Sequence, residues 1–296
     1  IMVRRSPRLV ALNQRIEDGG ATKESDDTAR NKRSKVVKKK KVSNPDAKKR
    51  ATQRDSSDRK GEGLRPTVEE KWWKKGFGII AGVDEAGRGP LAGPVVAAAC
   101  VVPPGVWFEG VGDSKQISLQ ARERLFAEIT GHPLVTYHIA QVSEQEIDKI
   151  NIREATKVAM RNAVVGLKEY PDHVMVDGNF VPELPPEIKS SEFIIKGDTK
   201  VFSIACASIL AKVFRDRIMK GYEKAYPGYG LGQNKGYPTA SHREALLKIG
   251  ATPIHRLSFG PVVKAIALHG KPVGAKQTVK KRLPEQGGKG RKKIKT

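Results

Sequence analysis

The segment Gly82-Val-Asp84-Glu85-Ala-Gly87-Arg88-Gly89-Pro90 constrains the fold more than any other part of the chain. Residues 77–83 make a short, apolar, β-rich run that ends in two adjacent carboxylates. Such an ending is costly in a buried strand, because an ionised carboxylate taken from water has to be paired, hydrogen-bonded or metal-bound. Alternation along a strict strand sends Asp84 and Glu85 to opposite faces, so the two share one site only if the strand breaks there. The Gly-Arg-Gly-Pro that follows supplies a break. Gly87 and Gly89 let a backbone approach a ligand closely and aim N–H groups at an anion, with Arg88 beside them as a phosphate-compatible fork. The competing reading of this segment is a turn with solvent-exposed charges.

Two further apolar runs end in acids. Residues 173–176 lead into Asp177-Gly178, and residues 193–196 into Gly197-Asp198. Strands of one sheet often terminate at a common edge, and open α/β sheets bind ligands beyond strand ends. Asp84, Glu85, Asp177 and Asp198 are therefore a candidate all-carboxylate cluster. Four acids cannot ionise together near neutrality without cations, and hard oxygen ligands with no Cys or His call for Mg²⁺ or Mn²⁺ rather than zinc. Taken alone, Asp198 beside Gly197 fits a turn residue as well as a ligand. The loop Lys235-Gly-Tyr237-Pro-Thr239 suits an aromatic that stacks on a sugar or base, and equally a Tyr that plugs a hydrophobic seam. Arg215-Asp216-Arg217 fits either a polar rim or a nucleic-acid contact. His242 and His255 lack ligand spacing and read as ordinary polar residues.

Around these motifs the periodicity predicts strands over 93–102 and 135–142 and a helix behind Ser118, with apolar residues at 121, 125, 126 and 129. Ser143 and Asn151 each look like a helix start with an acid at N3, the second opening a helix to about residue 170. A long helix is expected over 201–226, and shorter ones over 240–249 and 260–268. Strands first, then strands alternating with helices, argue for a mixed α/β sheet covered on both faces. Charge sets the limits of the folded part. The chain carries 55 Lys and Arg against 32 Asp and Glu, a formal +23, of which residues 1–60 hold +11 and residues 271–296 hold +9. Only +3 is left for residues 61–270, enough chain for one sizeable core. The expected organisation is a disordered basic extension over 1–70, a folded domain over 71–270 with a helical C-terminal part from about 226, and a disordered basic tail over 271–296.

The longest uncharged apolar stretch, residues 90–108, is broken by Gly and Pro and falls short of a membrane span, so no membrane association is expected. The N-terminal apolar run ends at Asn13 and Gln14, too short for a secretory signal. Cys100 and Cys206 lie in apolar segments and suit buried thiols in a reducing compartment. Ile1 before Met2 points to a fragment or an extended gene model. The Lys/Arg clusters in both tails favour a nuclear address, with mitochondrion or plastid as the alternative, or sequence-independent attraction to phosphate.

Seven motifs in order carry a resemblance. They are Gly82-Val-Asp-Glu-Ala-Gly-Arg-Gly-Pro-Leu-Ala-Gly-Pro-Val-Val-Ala-Ala-Ala, Gly112-Asp-Ser-Lys115, Val176-Asp-Gly178, Lys196-Gly-Asp198, Ala207-Ser-Ile-Leu-Ala-Lys-Val-Phe-Arg-Asp216, Lys235-Gly-Tyr-Pro-Thr239 and His255-Arg-Leu-Ser-Phe259. Together they closely resemble the ribonuclease HII family over about residues 78–268, in the single-chain bacterial form. The resemblance implies a ribonuclease H-like fold with a five-stranded mixed sheet. It implies an endonuclease that cuts the RNA strand of RNA/DNA hybrids and incises 5′ of ribonucleotides embedded in duplex DNA, leaving 5′-phosphate and 3′-hydroxyl ends. That activity serves ribonucleotide and primer removal in replication and repair. Two divalent ions, Mg²⁺ or Mn²⁺, would sit on Asp84, Glu85, Asp177 and Asp198. Gly87, Arg88 and Gly89 would recognise the 2′-hydroxyl and backbone at the RNA-to-DNA junction, Tyr237 would pack on the adjoining deoxyribose, and Lys115 would contact phosphate. A monomeric catalytic unit is expected, with no PCNA-type docking peptide evident in either tail. Cys206 departs from the Ala that many relatives carry there. Two competitors remain at this level. One is ribonuclease HIII, whose folded N-terminal platform the polar N-terminal residues do not resemble. The other is a catalytically silent nucleic-acid binder, for which the tails alone would suffice.

Overall fold

The computed structural model describes residues 63–112 and 117–272. Residues 1–62, 273–296 and 113–116, the last including Lys115, lie outside the described residues. Five strands, β1 (Ile80–Ala86), β2 (Val95–Val101), β3 (Thr136–Val142), β4 (His173–Asp177) and β5 (Ser190–Ile194), form one sheet in the order β3-β2-β1-β4-β5. β1 pairs parallel with β4, Val83 opposite Val176, and β4 pairs parallel with β5, Asp177 opposite Ile194. The eight-residue connection from β1 to β2 is too short for a parallel crossover, so the sheet is mixed. β1, β2 and β4 are buried along nearly their whole length, which is why they read as continuous apolar runs. β5 is an edge strand whose exposure alternates, and its Ser190-Ser191-Glu192 opening hides it from an apolar search; the expected strand over 193–196 in fact ends at Ile194.

The helices are α1 (Thr67–Lys74), α2 (Leu119–Gly131), α3 (Glu144–Val165), α4 (Phe202–Ala225), α5 (Leu231–Asn234), α6 (Ala240–Ile249) and α7 (Gly260–His269). Ser118 caps α2 by accepting from the Ala121 N–H. α3 is two helices joined at Asn151, whose φ is 65°. Ser143 Oγ accepts from Glu146 N at the first start, and Asn151 Oδ1 accepts from Arg153 N and Glu154 N at the second. The second segment stops at Val165 rather than near 170, just before Gly166, a residue of low helix propensity. Among the described residues no helix is long and apolar enough to cross a membrane.

Residues 67–70, expected to belong to the disordered extension over 1–70, are helical and open α1, so the folded part begins before residue 71, while residues 1–62 of that expectation lie outside the described residues. Val68, Trp72 and Trp73 pack against Ile80, Met175, Val201 and Ile204, and the Trp72 ring stacks on His173 with centroids 3.7 Å apart. Its Glu69 is buried and accepts from the Ser203 N–H, 2.7 Å away, at the start of α4. These contacts anchor a segment whose charged surroundings conceal it.

By internal packing the described chain forms two units. The first holds residues 63–84, 99–138 and 164–209, and the second holds residues 85–98, 139–163 and 210–272. In the first, Gly82 admits the start of α4 against β1, since a Cβ there would sit 2.2 Å from Ser203 C and Ile204 N. In the second, Leu91, Met219, Tyr229, Leu231, Leu246, Ile254 and Val262 build a core under α5, α6 and α7.

Candidate active site

In the first unit, the parallel register of β1 and β4 brings two acids side by side. Val83 faces Val176 across the ladder, and the next residue on each strand is Asp84 and Asp177. Asp198 reaches them from the 3-10 turn Gly197–Thr199, which follows a left-handed Lys196 at φ 56°. That turn is tied down by the Gly197 N–H, which donates to Asp177 Oδ1 over 2.6 Å. Gly197 packs closely here: a Cβ would lie 2.7 Å from Ile204 Cδ1, which would have to shift, and 3.4 Å from Asp177 Oδ1. Asp84, Asp177 and Asp198 offer carboxylate oxygens all within 4.8 Å of one another, and Asp84 and Asp198 are buried. A buried, all-oxygen donor set this tight fits a hard divalent cation, which offsets the mutual repulsion of the acids.

Glu85 is not in that group. β1 runs unbroken through Glu85 to Ala86, so alternation holds and the break comes only at Gly87, whose φ is 99°. Glu85 Oε1 instead lies 3.3 Å from Arg88 Nη1.

In the second unit, the Gly87–Pro94 loop is held from within by two buried guanidiniums. Arg256 donates to the carbonyls of Gly87, Arg88 and Gly93. Arg215 donates to Pro94, Ala92 and Lys235, each at 3.0 Å. Gly87 makes room for this clamp, since a Cβ there would fall 2.1 Å from Arg215 Nε. Both arginines are almost fully buried, so the polar-rim reading of Arg215 does not hold. Desolvation lowers both guanidinium pKa values, and with repulsion from Arg215 brings Arg256 to about 9, still cationic at neutral pH. Buried Glu144 supplies opposing charge to both. Asp148 of α3 fixes the strip carrying Arg256, accepting from Leu257 N, Ser258 N and Ser258 Oγ.

Tyr237 follows in the same unit, 43% exposed, with a Gly89 Cβ position 3.5 Å from its ring. This exposure favours the stacking reading over a Tyr plugged into a seam. Its backbone is fixed by Tyr237 N donating to Asn234 O and by His242. His242 and His255, read from sequence as ordinary polar residues, are buried and hydrogen-bonded to each other, Nε2 to Nε2, at 3.1 Å. The burial of Arg215, Arg256, His242 and His255 had no local signal, because each comes from a polar or mixed segment.

A family model described as Ribonuclease HII matches residues 81–262. The chain belongs to the ribonuclease HII family. It is 48% identical to Ribonuclease HII of Chlamydia muridarum over 202 residues, covering 68% of this chain and 91% of that one. It is 50% identical to Ribonuclease HII 1 of Methylibium petroleiphilum over 189 residues, covering 64% and 93%. The crystal structure of the ribonuclease H2 from Pyrococcus horikoshii OT3 superposes with a TM-score of 0.53 at 28% identity, over 63% of this chain and 96% of that one. The chain is therefore a type 2 ribonuclease H, a metal-dependent endonuclease that hydrolyses RNA paired with DNA. One expectation is overturned. The basic clusters suggested a nuclear address, but the relatives named here from Chlamydia and Methylibium are bacterial, and bacteria have no nucleus.

Proposed function

We propose that this ribonuclease HII incises 5′ of a ribonucleotide embedded in duplex DNA, as well as cutting longer RNA/DNA hybrids, and leaves 5′-phosphate and 3′-hydroxyl ends. The observation that carries the reading is the convergence of Asp84, Asp177 and Asp198 within 4.8 Å on two parallel strands and a turn. These three would hold two divalent cations, Mg²⁺ or Mn²⁺, and Glu85, next to Asp84 in the chain, would join as the fourth acid by turning its side chain away from Arg88. When bound, such cations supply an activated water and charge stabilisation of the leaving oxygen.

The chain's own residues bind and orient. Asp177 spends one oxygen on the Gly197 N–H, which fixes the direction of its carboxylate before any cation arrives. Gly87, Arg88 and Gly89 recognise the 2′-hydroxyl and backbone at the junction; the carbonyls of Gly87 and Arg88 are turned inward to Arg256, which fixes the peptide planes of the loop. Tyr237 packs on the deoxyribose that follows the ribonucleotide, its half-exposed ring being free to stack. Lys115 contacts backbone phosphate. Asp84→Asn keeps the shape and removes one charge from the cradle. Nicking of a duplex with one ribonucleotide should fall by at least about a thousandfold for this variant, as for loss of a metal-organising group, while duplex binding in an electrophoretic shift persists. Full activity in Asp84→Asn would exclude the carboxylate cradle as the reaction centre.

A further inference from the structure

His255 and His242 form a hydrogen-bonded chain with two chemically fixed ends. At one end the Thr252 backbone N–H, which can only donate, lies 3.0 Å from His255 Nδ1, with the Thr252 hydroxyl 2.8 Å from the same nitrogen. His255 Nδ1 is therefore the acceptor, and a neutral ring then carries its proton on Nε2. That proton points to His242 Nε2 at 3.1 Å, which accepts it and leaves His242 protonated at Nδ1. At the other end the Tyr237 carbonyl, which can only accept, lies 3.0 Å from His242 Nδ1. Both rings are buried, with desolvation lowering both pKa values, that of His255 to about 3, so the pair is neutral at physiological pH. His255 is itself anchored by a bridge to Ala92 in the loop that follows the Gly-Arg-Gly segment. One direction of donation runs from Thr252 through both rings to Tyr237.

We propose that the His255–His242 pair is a positioning relay that fixes the Tyr237 backbone, and with it the angle at which the Tyr237 ring meets the sugar beside a ribonucleotide. This rests on the junction reading given above. A relay of this kind acts on selectivity rather than on the carboxylate chemistry. A small displacement of a positioning group costs rate only on substrates that use it. The affected quantity is the ratio of kcat/KM on a duplex with a single ribonucleotide to that on an all-RNA strand paired with DNA.

The test uses the full chain. Nitrogen-15 NMR of the wild-type imidazoles at pH 7 should show His255 protonated at Nε2 only and His242 at Nδ1 only; the opposite tautomers, or a doubly protonated ring, overturn the relay. His242→Leu should lower the selectivity ratio about tenfold, within the range that misplacement of a positioning group produces. His242→Asn, whose amide N–H replaces the Nδ1 donor, should restore most of that loss. Tyr237→Ala serves as the reference. If Tyr237→Ala lowers the ratio and folded His242→Leu does not, the relay fails and the junction reading stands. If Tyr237→Ala leaves the ratio unchanged, the junction reading itself fails, and the relay with it. In the Tyr237→Ala background His242→Leu should cost nothing more, and a full additional loss would show that the pair acts elsewhere. Should His242→Leu not fold, the tautomers and the Asn variant decide.

Discussion

At the scale of single residues, the site depends on positions where one atom more is too many. Gly82 lies against the backbone of Ser203 and Ile204, so Gly82→Ala pushes α4 off β1. That should cost about 3 kcal/mol or more in a urea melt, at the upper end for overpacking, because the obstacle is backbone rather than a movable side chain. Gly87→Ala adds a strained positive φ to a collision with Arg215 Nε. Its effect should fall on the junction loop, lowering cleavage of a single-ribonucleotide duplex more than global stability, as judged by comparing nicking rates with the melting midpoint. Asp84 and Asp177 are legible in the sequence because each closes a buried apolar run and a charge there needs a partner, whereas Asp198 sits in a turn past the edge strand β5 and its sequence fits a turn residue as well as a ligand. Arg215 and Arg256 were not legible, because their partners are backbone carbonyls of residues 87–94 and 235, more than a hundred positions away for most of the bonds. No sequence pattern marks a guanidinium that will be buried by carbonyls.

At the scale of elements, helix starts were readable to the residue where a side chain caps its own turn, as at Ser118, Ser143 and Asn151. The cap that comes from elsewhere was invisible. Glu69 of α1 holds the Ser203 N–H at the start of α4, and desolvation raises its pKa above the usual 4.5 despite that hydrogen bond. A raised folded pKa means the protonated form suits the fold better. The stabilising share is complete below pH 4.5 and is lost as pH rises through the folded value. Glu69→Gln keeps an acceptor without the buried charge, so at pH 7 it should be at least as stable as wild type, with Glu69→Ala less stable than Gln by about 1 kcal/mol from loss of the cap. The stability difference between wild type and Glu69→Gln should shrink on acidification, measured by urea unfolding at several pH values. A constant difference would place the Glu69 charge outside the balance. β5 lies earlier in the chain than its apolar residues suggest for a related reason: as an edge strand it needs apolar residues on one face only, and its polar opening conceals the pairing with β4.

At the scale of the whole molecule, two charge effects separate. The buried His255 ring has a folded pKa near 3 against 6.5 for the free side chain, so the unfolded chain takes up the proton first. Stability is full above pH 6.5 and falls as pH drops towards 3, by about 2 kcal/mol at pH 5 from His255 alone. His255→Phe should remove most of that acid-sensitive share in a melting series between pH 7 and 5. The second effect belongs to the sequence outside the described residues. With +20 carried by residues 1–60 and 271–296 against +3 between them, bulk phosphate attraction is expected of the tails. Removing both tails should flatten the dependence of binding on salt without moving the cut, which footprinting of the nicked strand would report.

The central claim is that a carboxylate cradle and a junction-reading loop make this ribonuclease HII cut beside a single embedded ribonucleotide. The direct measurement is to map, at nucleotide resolution, the cut made by the purified chain with Mg²⁺ or Mn²⁺ in a duplex bearing one ribonucleotide. A single incision 5′ of that nucleotide is expected, with a 3′-hydroxyl on the upstream fragment, and none without the divalent cation. Cleavage confined to long hybrids, a cut on the 3′ side, or activity indifferent to the cation would contradict it.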